Sequence, residues 1–355
     1  MKKVLLGMSG GVDSSVAAIV LQEQGYEVIG ATMQLWTPEN EKLQDKNCTN
    51  DIINDAKKLC DKLGIPHHTL NFEEEFKKCV IDNFIEAYSN GITPNPCIEC
   101  NKFLKFNYFF KKAIELECDY IATGHYAKTE FSEKYNQYVL KKSNAGKKDQ
   151  SYVLYNIPKE IISKVLFPLG NFENKEQIRK IAEKHGLLTA KKPDSQEICF
   201  IPDNDYASFL TKSGKVKSEK GNIINKDGKI LGTHKGLIHY TIGQRKGLGI
   251  SNETPLYVID LDVKNKNLIV GEEKDIYSKT LYANNLNYAV NIDMSKPVEV
   301  EAKIRYSAKE ATAILYPEKN GVVKLEFIEP QRAITRGQSV VFYIDDVLIG
   351  GGKII

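Results

Sequence analysis

The sequence predicts an α/β protein: a parallel sheet covered by helices, then a small linking domain and an all-β, barrel-like domain. Strands and helices alternate over roughly the first 200 residues, which is typical of parallel sheets. Gly-rich turns and short strands take over from about Gly221, and apolar and polar residues alternate from Val298 to Ile355. We expect domains at 1–204, 205–280 and 281–355.

The first domain is predicted from its hydrophobic patterns, in chain order. The expected elements are a strand at Val4–Leu6, a helix over Val16–Leu21, a strand at Tyr26–Met33, helices at Asp51–Leu63, Phe72–Tyr88 and Phe103–Leu116, and a strand at Asp119–His125. Gly7, Met33 and Gly124 fall at the carboxyl ends of strands, where parallel sheets bind ligands.

The later elements are predicted from turn residues. Leu256–Leu261 and Leu268–Val270 read as a hairpin, Asn320-Gly321 is a strong hairpin turn, and Asp345-Asp346 indicates another.

Composition limits the class of protein. The chain has 355 residues, 42% of them hydrophobic, which suits several packed cores and excludes a disordered chain. Its net charge of +3 does not by itself indicate a nucleic-acid binder. The stretch Lys212–Lys246 nevertheless carries nine Lys/Arg against two acidic residues, a candidate phosphate-contacting surface.

No apolar run approaches the ~20 residues that span a bilayer. The apolar start breaks at Gly10, too early for a signal peptide. We therefore expect a cytoplasmic protein with no membrane partner. Its seven cysteines are then expected to be free thiols, catalytic groups or metal ligands rather than structural disulfides.

The segment Gly7–Ser15 joins the first predicted strand to the first helix. Its glycines allow close backbone approach, and the N–H groups at a helix N-terminus favour an anion. No Lys follows the glycines, so this is not a Walker A loop. Ser9–Ser14 instead resembles the pyrophosphate loop of the PP-loop ATPases, which typically cleave ATP between the α and β phosphates and adenylate a substrate.

Two cysteines, Cys97 and Cys100, form a C-x-x-C segment after Thr93-Pro94-Asn95-Pro96. The prolines place the thiols on a loop or a first helical turn, where a lowered pKa favours the reactive thiolate. From the residues alone, reactive thiols are no better supported than a structural interpretation, which would be a reduced surface pair or half of a zinc site. A structural zinc site needs four ligands, and only Cys199, in the turn-rich stretch Lys192–Phe200, stands out as a third.

The other cysteines are interpreted as structural. Three of them lie in helical patterns among apolar neighbours and are expected to be small buried core residues: Cys60, Cys79 and Cys118. Cys48 falls in a polar loop and is given no role.

Six motifs along the whole chain resemble the tRNA-specific 2-thiouridylases, members of the PP-loop superfamily that install sulfur at C2 of the wobble uridine of tRNA. The motifs are Gly7–Ser15, Thr93–Pro96 with Cys100–Lys102, Ala122–Tyr126, Lys148–Tyr152, Pro193–Phe200 and Gly236–Gly249.

The resemblance implies an ATP site and two catalytic cysteines. ATP, with Mg²⁺, would adenylate the C2 oxygen so that AMP becomes the leaving group. Cys199 would carry a persulfide from a sulfur donor, and the outer sulfur would attack C2 directly or as released hydrosulfide. Cys100 would attack Cys199 to free this sulfur, leaving a Cys100–Cys199 disulfide for a reductant to reset. The implied ATP-binding residues are Gly7, Met8, Ser9, Gly10, Gly11, Val12, Asp13, Ser14, Met33 and Gly124.

The resemblance also implies a tRNA with a wobble uridine as partner. The flipped base would lie beside Asn95, Pro96 and Cys97. The implied tRNA-contacting residues are His125, Lys148, Asp149, Gln150, Arg305, Tyr306 and Gln338.

One residue departs from the pattern of the family. Many members have Asp at the position of Cys97, so the general base is open in this chain. Cys97, Cys100 and Cys199 could together hold a [4Fe–4S] cluster whose free iron binds sulfide. The persulfide and cluster routes both stay open at this point.

Two other classes of function are compatible with the loop. A ligase of the tRNA lysidine synthetase type would need no catalytic thiol. A non-catalytic tRNA-binding module would use ATP only as a structural ligand, and tRNA-dependent release of AMP and pyrophosphate would exclude it.

Overall fold

A five-stranded parallel sheet forms the first part of the molecule, as predicted, with strand order β3-β2-β1-β4-β7. The structure is a computed structural model and describes residues 1–36, 48–191, 198–201 and 205–355. The strands of this part are β1 Lys3–Gly7, β2 Glu27–Gln34, β3 His67–Asn71, β4 Tyr120–Ala122, β5 Lys128–Ser132, β6 Gln137–Lys141 and β7 Val165–Leu166.

Helices cover both faces of this sheet. They are α1 Val12–Glu23, α2 Cys48–Leu63, α3 Glu73–Phe76, α4 Asp82–Ser89, α5 Pro96–Glu99, α6 Phe109–Glu115 and α7 Lys175–Lys184. The residues of β1 alternate between two cores: Leu5 packs in one cluster with Phe76 and Phe109, whereas Leu6 packs in the other with Val16. This alternation is what a strand buried on both faces requires.

The predicted helix Phe103–Leu116 begins earlier, at Pro96. Asn95 caps it, because its side-chain oxygen accepts a hydrogen bond from the Cys97 N–H, and Pro96 occupies the first turn, where its missing N–H is tolerated. Between α5 and α6 the helix widens into π-helical turns over Cys100–Tyr108, with Phe106 at φ −110° and ψ 15°. Such turns are common at functional sites.

A small central domain follows, made of α8 Tyr206–Lys212, β8 Gly221–Ile224, β9 Ile230–His234, β10 Tyr257–Asp262 and β11 Asn267–Gly271. The order of its sheet is β10-β11-β8-β9, and the predicted hairpin is confirmed as β10–β11. The sequence predicted short strands from about Gly221 but gave no bounds for β8 and β9, which are flanked by glycine and charged residues.

The last part is a closed barrel of β12 Tyr277–Tyr288, β13 Val298–Lys303, β14 Ala311–Pro317, β15 Val323–Arg332, β16 Ser339–Ile344 and β17 Val347–Ile354. Pairing of β12 with β17 closes it. The turns predicted at Asn320-Gly321 and Asp345-Asp346 join β14 to β15 and β16 to β17. Asn320 has φ +57° and Asp345 has φ +58°, the left-handed conformation that short turns need.

The β5–β6 hairpin was not predicted. It leaves the first domain and extends the sheet of the barrel, where Lys141 pairs with Val347. The first and last parts of the chain therefore share one continuous sheet. In the part of the chain that the structure describes, no helix is long and apolar enough to cross a membrane.

Candidate functional site

The N-terminus of α1 is open to an anion. Its N-cap residue is Gly11, which has no side chain, so no side chain caps the first-turn N–H groups. Gly10 has φ +68°, a conformation that favours glycine. Uncapped N–H groups at the positive end of a helix dipole fit a phosphate group. The loop therefore suits the predicted binding of ATP.

Hydrogen bonds fix the shape of this loop. The hydroxyls of Ser9 and Ser14 lie 3.2 Å apart, and the Ser15 hydroxyl donates to the Gly11 oxygen at 2.6 Å. On the side of β2, the Thr32 hydroxyl donates to the Met8 oxygen at 2.9 Å. The loop is thus held by its own serines and by the neighbouring strand.

Gly7, Met33 and Gly124 lie together at the strand ends. A Cβ on Gly7 would be 3.8 Å from the Met33 methyl group, and a Cβ on Gly124 would be 3.0 Å from the Ser14 backbone nitrogen. Position 124 therefore needs glycine, because a side chain there would press on the first turn of α1.

The Asp13 carboxylate is fixed by two partners from outside the loop. Its Oδ1 accepts a hydrogen bond of 2.7 Å from the Tyr126 hydroxyl, and its Oδ2 lies 2.7 Å from Lys175 Nζ. Tyr126 belongs to a predicted motif, but neither its contact with the loop nor any role of Lys175 was predicted. Nothing in the sequence spacing places α7 beside α1.

The three cysteines singled out from the sequence come together. Cys97 and Cys199 are exposed, Cys100 is buried, and all three are free thiols. They are close enough that charge on Cys199 or Cys97 would oppose ionisation of Cys100. The half-buried Lys105 has the opposite effect on Cys100 and Cys199, and its part in this site was not predicted.

The expectation of a lowered thiol pKa is wrong for Cys100. Burial raises the pKa of Cys100 to about 12, and this outweighs the attraction of Lys105. The pKa of Cys199 is also raised. The main cause is desolvation by the surrounding protein atoms, although the residue is exposed, and the second cause is its neighbour Cys97. The stabilisation that a helix N-terminus gives to a thiolate is therefore smaller here than the cost of removing the thiolate from solvent.

Phe200 anchors the segment that carries Cys199. Its ring is 2% exposed and lies 5.6 Å from the ring of Phe76 and 5.4 Å from that of Phe84. Cys100 and Phe200 belong to the same apolar cluster. The preceding part of this motif, Lys192–Glu197, lies outside the described residues.

The described residues do not fit a metal cluster as they stand. Within 1–36, 48–191, 198–201 and 205–355, no three His, Cys, Asp or Glu side chains are grouped so that they could hold a metal ion. Cys97, Cys100 and Cys199 all fall within these ranges, so their sulfurs do not form a ligand set in this arrangement.

The barrel holds the segment that leads into the cysteine helix. The Gln338 amide donates to the Thr93 oxygen at 2.9 Å, and the Thr93 N–H donates to the Arg336 oxygen at 3.1 Å. Lys353 Nζ lies 3.3 Å from a carboxylate oxygen of Glu99. The expected tRNA contact Gln338 thus has a bond within the protein.

Residues Lys148, Asp149 and Gln150 form one loop but face different ways. Lys148 is exposed, whereas Asp149 is buried and accepts hydrogen bonds from the Ser143 N–H at 2.7 Å and the Ser151 hydroxyl at 2.5 Å. Burial raises the pKa of Asp149, although these bonds oppose the rise. Gln150 Oε1 accepts from the Tyr126 N–H at 2.9 Å. Asp149 and Gln150 therefore hold the loop that presents Lys148.

The barrel residue Tyr306 lies on the same side as this loop. Its ring packs 6.2 Å from that of Tyr152, and burial raises the pKa of its hydroxyl, with further contributions from Asp149 and Cys97. Its half-exposed ring therefore lies near enough to Asp149 and to Cys97 for charge on either residue to act on its hydroxyl. Arg305, beside it, donates to the Arg332 oxygen at 3.0 Å.

His125 is held as a neutral imidazole. Its Nδ1 shares a hydrogen bond of 2.7 Å with the Thr123 hydroxyl, and its ring packs against Phe106 and Phe167. Burial, with a smaller contribution from Lys105, holds its pKa well below the usual value.

The remaining predictions were partly correct. Cys60 is fully buried, as expected, whereas Cys79 is half-buried. Cys118 is half-buried after the end of α6, not in a helix. Cys48 begins α2 and is not in a loop.

The basic stretch Lys212–Lys246 includes a cation that is paired within the protein. Lys215 Nζ lies 2.9 Å from Asp82 Oδ1.

Three family models match the chain. A tRNA methyl transferase HUP domain model covers residues 2–203, a tRNA methyl transferase PRC-barrel domain model covers 207–272, and an aminomethyltransferase beta-barrel domain model covers 278–354. Together they follow the sheet, the central domain and the barrel in order.

Several curated proteins resemble the chain along its length. The tRNA-specific 2-thiouridylase MnmA of Acetivibrio thermocellus is 51% identical over 99% of each chain. The proteins of the same name from Clostridioides difficile and Clostridium botulinum are 49% and 52% identical, over 99% of this chain and 98% of theirs. A solved complex of a 4-thiouridine synthetase with RNA and ATP covers 59% of this chain and 50% of its own at 20% identity, with a TM-score of 0.33, too low a likeness to support any inference.

Proposed function

The chain belongs to the family of tRNA-specific 2-thiouridylases, and from this premise we propose that it thiolates C2 of the wobble uridine by adenylation followed by sulfur transfer through Cys199 and Cys100. The family makes it a tRNA sulfurtransferase. The observation that carries the proposal is the pairing of an uncapped, glycine-lined helix N-terminus with three converging thiols in one domain.

The loop at Gly7–Ser14 supports the activation step. The helix N-terminus in this loop, which no side chain caps, suits the phosphates of ATP, and Gly124 and Met33 line the adjacent strand ends. Mg²⁺ would be held mainly by the phosphates, since both oxygens of Asp13 already have partners in Tyr126 and Lys175. Adenylation turns a poor leaving oxygen into part of AMP.

The cysteines support the transfer step. A persulfide on Cys199 is the sulfur source, since this thiol is exposed to a donor protein. Its outer sulfur bonds to C2 as AMP departs. Cys100 loses its proton and attacks the inner sulfur of Cys199, the S–S bond of the persulfide breaks, and the electron pair leaves with the transferred sulfur. The resulting Cys100–Cys199 disulfide requires an external dithiol as reductant.

Burial of Cys100 suits this order of events. A thiol with a pKa of about 12 is almost wholly protonated near neutral pH, so it reacts slowly with oxidants and electrophiles other than its intended partner. Lys105 is the cation that would favour its thiolate once the persulfide is in place.

The persulfide route is proposed over a [4Fe–4S] route because the described thiols are not grouped as metal ligands. Anaerobic purification followed by iron and sulfide assays separates the two routes. We expect a colourless, iron-free protein that is active, and Cys97→Asp that retains activity. Activity that rises and falls with bound iron would overturn the persulfide route.

The tRNA is proposed to lie across the junction of the first domain and the barrel. The exposed Lys148, the half-exposed Tyr306 and the segment Asn95–Cys97 all border this junction. The direct test is release of AMP and pyrophosphate from ATP that depends on added tRNA. Release without tRNA, or no release, would contradict adenylation of the tRNA.

A further inference from the structure

The loop proposed to hold ATP has no cation of its own. No Lys or Arg occurs between Lys3 and Lys42, a stretch that includes β1, the loop, α1 and β2. Phosphate loops of the Walker type place a Lys against the β and γ phosphates, because N–H groups alone compensate their charge only in part. In this chain such a cation must come from another element.

Lys175 lies in the position that such a cation would need, beside the first turn of α1. Its Nζ lies 2.7 Å from Asp13 Oδ2, in the first turn of α1, and its side chain is only 15% exposed. The long apolar stem is therefore packed and the ammonium group is directed at the loop.

The backbone of Lys175 is held firmly. Lys175 is the first residue of α7, and the Asn174 side chain caps this helix by accepting from the Gln177 N–H at 3.1 Å. Ile178 and Ala182 of α7 are fully buried in the same apolar cluster as Val16 of α1. The packing of α7 on α1 thus holds the ammonium group next to the loop.

Asp13 positions this ammonium group and is itself held from the other side. Its second oxygen accepts the 2.7 Å hydrogen bond from Tyr126, a residue that is 3% exposed. The carboxylate is therefore fixed between a buried phenol and Lys175. An anion arriving at the uncapped N-terminus of α1 would meet the Lys175 charge next to the N–H groups.

We propose that Lys175 binds the β and γ phosphates of ATP, supplying from α7 the positive charge that the loop lacks. This inference rests on the proposed function, in which the loop binds ATP. It predicts that Lys175 distinguishes ATP from AMP, because AMP has no β or γ phosphate.

The test is equilibrium binding, by calorimetry and without tRNA, of AMP and of an ATP analogue with a methylene bridge between the α and β phosphorus atoms. We expect Lys175→Gln to weaken binding of the analogue by about ten- to a hundredfold, as for loss of a charge-assisted hydrogen bond, and to leave AMP binding unchanged. Lys175→Arg should retain most of the affinity for the analogue.

Tyr126→Phe is the matched control, since it removes the other hydrogen bond to Asp13 and keeps the Lys175 charge. We expect it to change the affinities for the analogue and for AMP by the same factor. Equal weakening of both ligands by Lys175→Gln, no weakening, or a loss confined to the analogue in Tyr126→Phe would overturn the inference. Failure of the wild-type protein to bind the analogue would instead overturn the ATP site itself.

Discussion

Gln338 of the barrel donates a 2.9 Å hydrogen bond to the backbone oxygen of Thr93, shortly before the helix that carries Cys97 and Cys100. Close packing accompanies this bond, because a Cβ on the adjacent Gly337 would overlap the side chain of Ile92. The barrel is thus a support for the cysteine helix and not only a surface for tRNA.

Removal of this bond should loosen the cysteine helix. We expect Gln338→Ala to lower the free energy of unfolding by about 1 kcal/mol and to lower kcat/KM for thiolation. Urea unfolding and steady-state kinetics measure the two effects. The control is Gln331→Ala, since the Gln331 amide donates to the oxygen of the nearby Glu329, two residues away on the same strand. Equal, negligible effects of the two variants would show that the Gln338 bond is not a support.

Phe200 should be a larger determinant of stability, because its ring fills space between Phe76 and Phe84. We expect Phe200→Ala to cost about 3–5 kcal/mol in the free energy of unfolding, through the cavity that it leaves. Mild oxidation should also form the Cys100–Cys199 disulfide more slowly, because Cys199 loses its anchor.

Phe131→Ala is the matched control for Phe200, because the Phe131 ring is 52% exposed. Its cost should stay within about 0.5 kcal/mol, as for other surface substitutions. Similar costs for the two phenylalanines would contradict the anchoring role of Phe200.

The thiols should differ in their reactivity with iodoacetamide. Burial raises the pKa of Cys100 and of Cys60 to about 12, so both thiols are almost wholly protonated at pH 8. We expect the exposed Cys97 to be alkylated first and Cys60 and Cys100 last, as followed by mass spectrometry of peptides. Urea should abolish the difference. Labelling of Cys100 as fast as that of Cys97 in the folded protein would contradict its burial.

Acidification should destabilise the protein through His125. Its pKa is lowered in the folded state, so the unfolded state binds a proton that the folded state does not. The stabilisation is therefore complete above the unfolded pKa of about 6.5 and is lost below it, by at most about 1.4 kcal/mol per pH unit. Unfolding free energies of wild type and His125→Asn between pH 7 and pH 5 test this. Identical pH slopes for the two proteins would contradict it.

Local patterns predicted the sheet, its loop and the turns of the barrel, because each depends on neighbouring residues. Gly10-Gly11 and Asn320-Gly321 are examples, since their conformations follow from glycine and asparagine themselves. The pKa of a thiol such as Cys100 depends on burial by distant residues such as Phe200, which no local pattern reports.

Contacts between remote elements could not be predicted. Lys175 meets Asp13 because α7 packs on α1, and the β5–β6 hairpin joins the barrel where Lys141 pairs with Val347. Likewise, the sequence could not show that the Asp149 side chain would face inward to Ser143 and Ser151. Each of these contacts is set by tertiary packing.

In the proposed reaction, ATP activation and cysteine-borne sulfur act on one uridine. The direct measurement is nucleoside mass spectrometry of a tRNA transcript with a wobble uridine, after incubation with the purified protein, ATP, Mg²⁺, a persulfide donor and a dithiol. We expect 2-thiouridine with the wild-type protein and none with Cys199→Ser or without ATP. Unmodified uridine with the wild-type protein, or full thiolation by Cys199→Ser, would contradict the account.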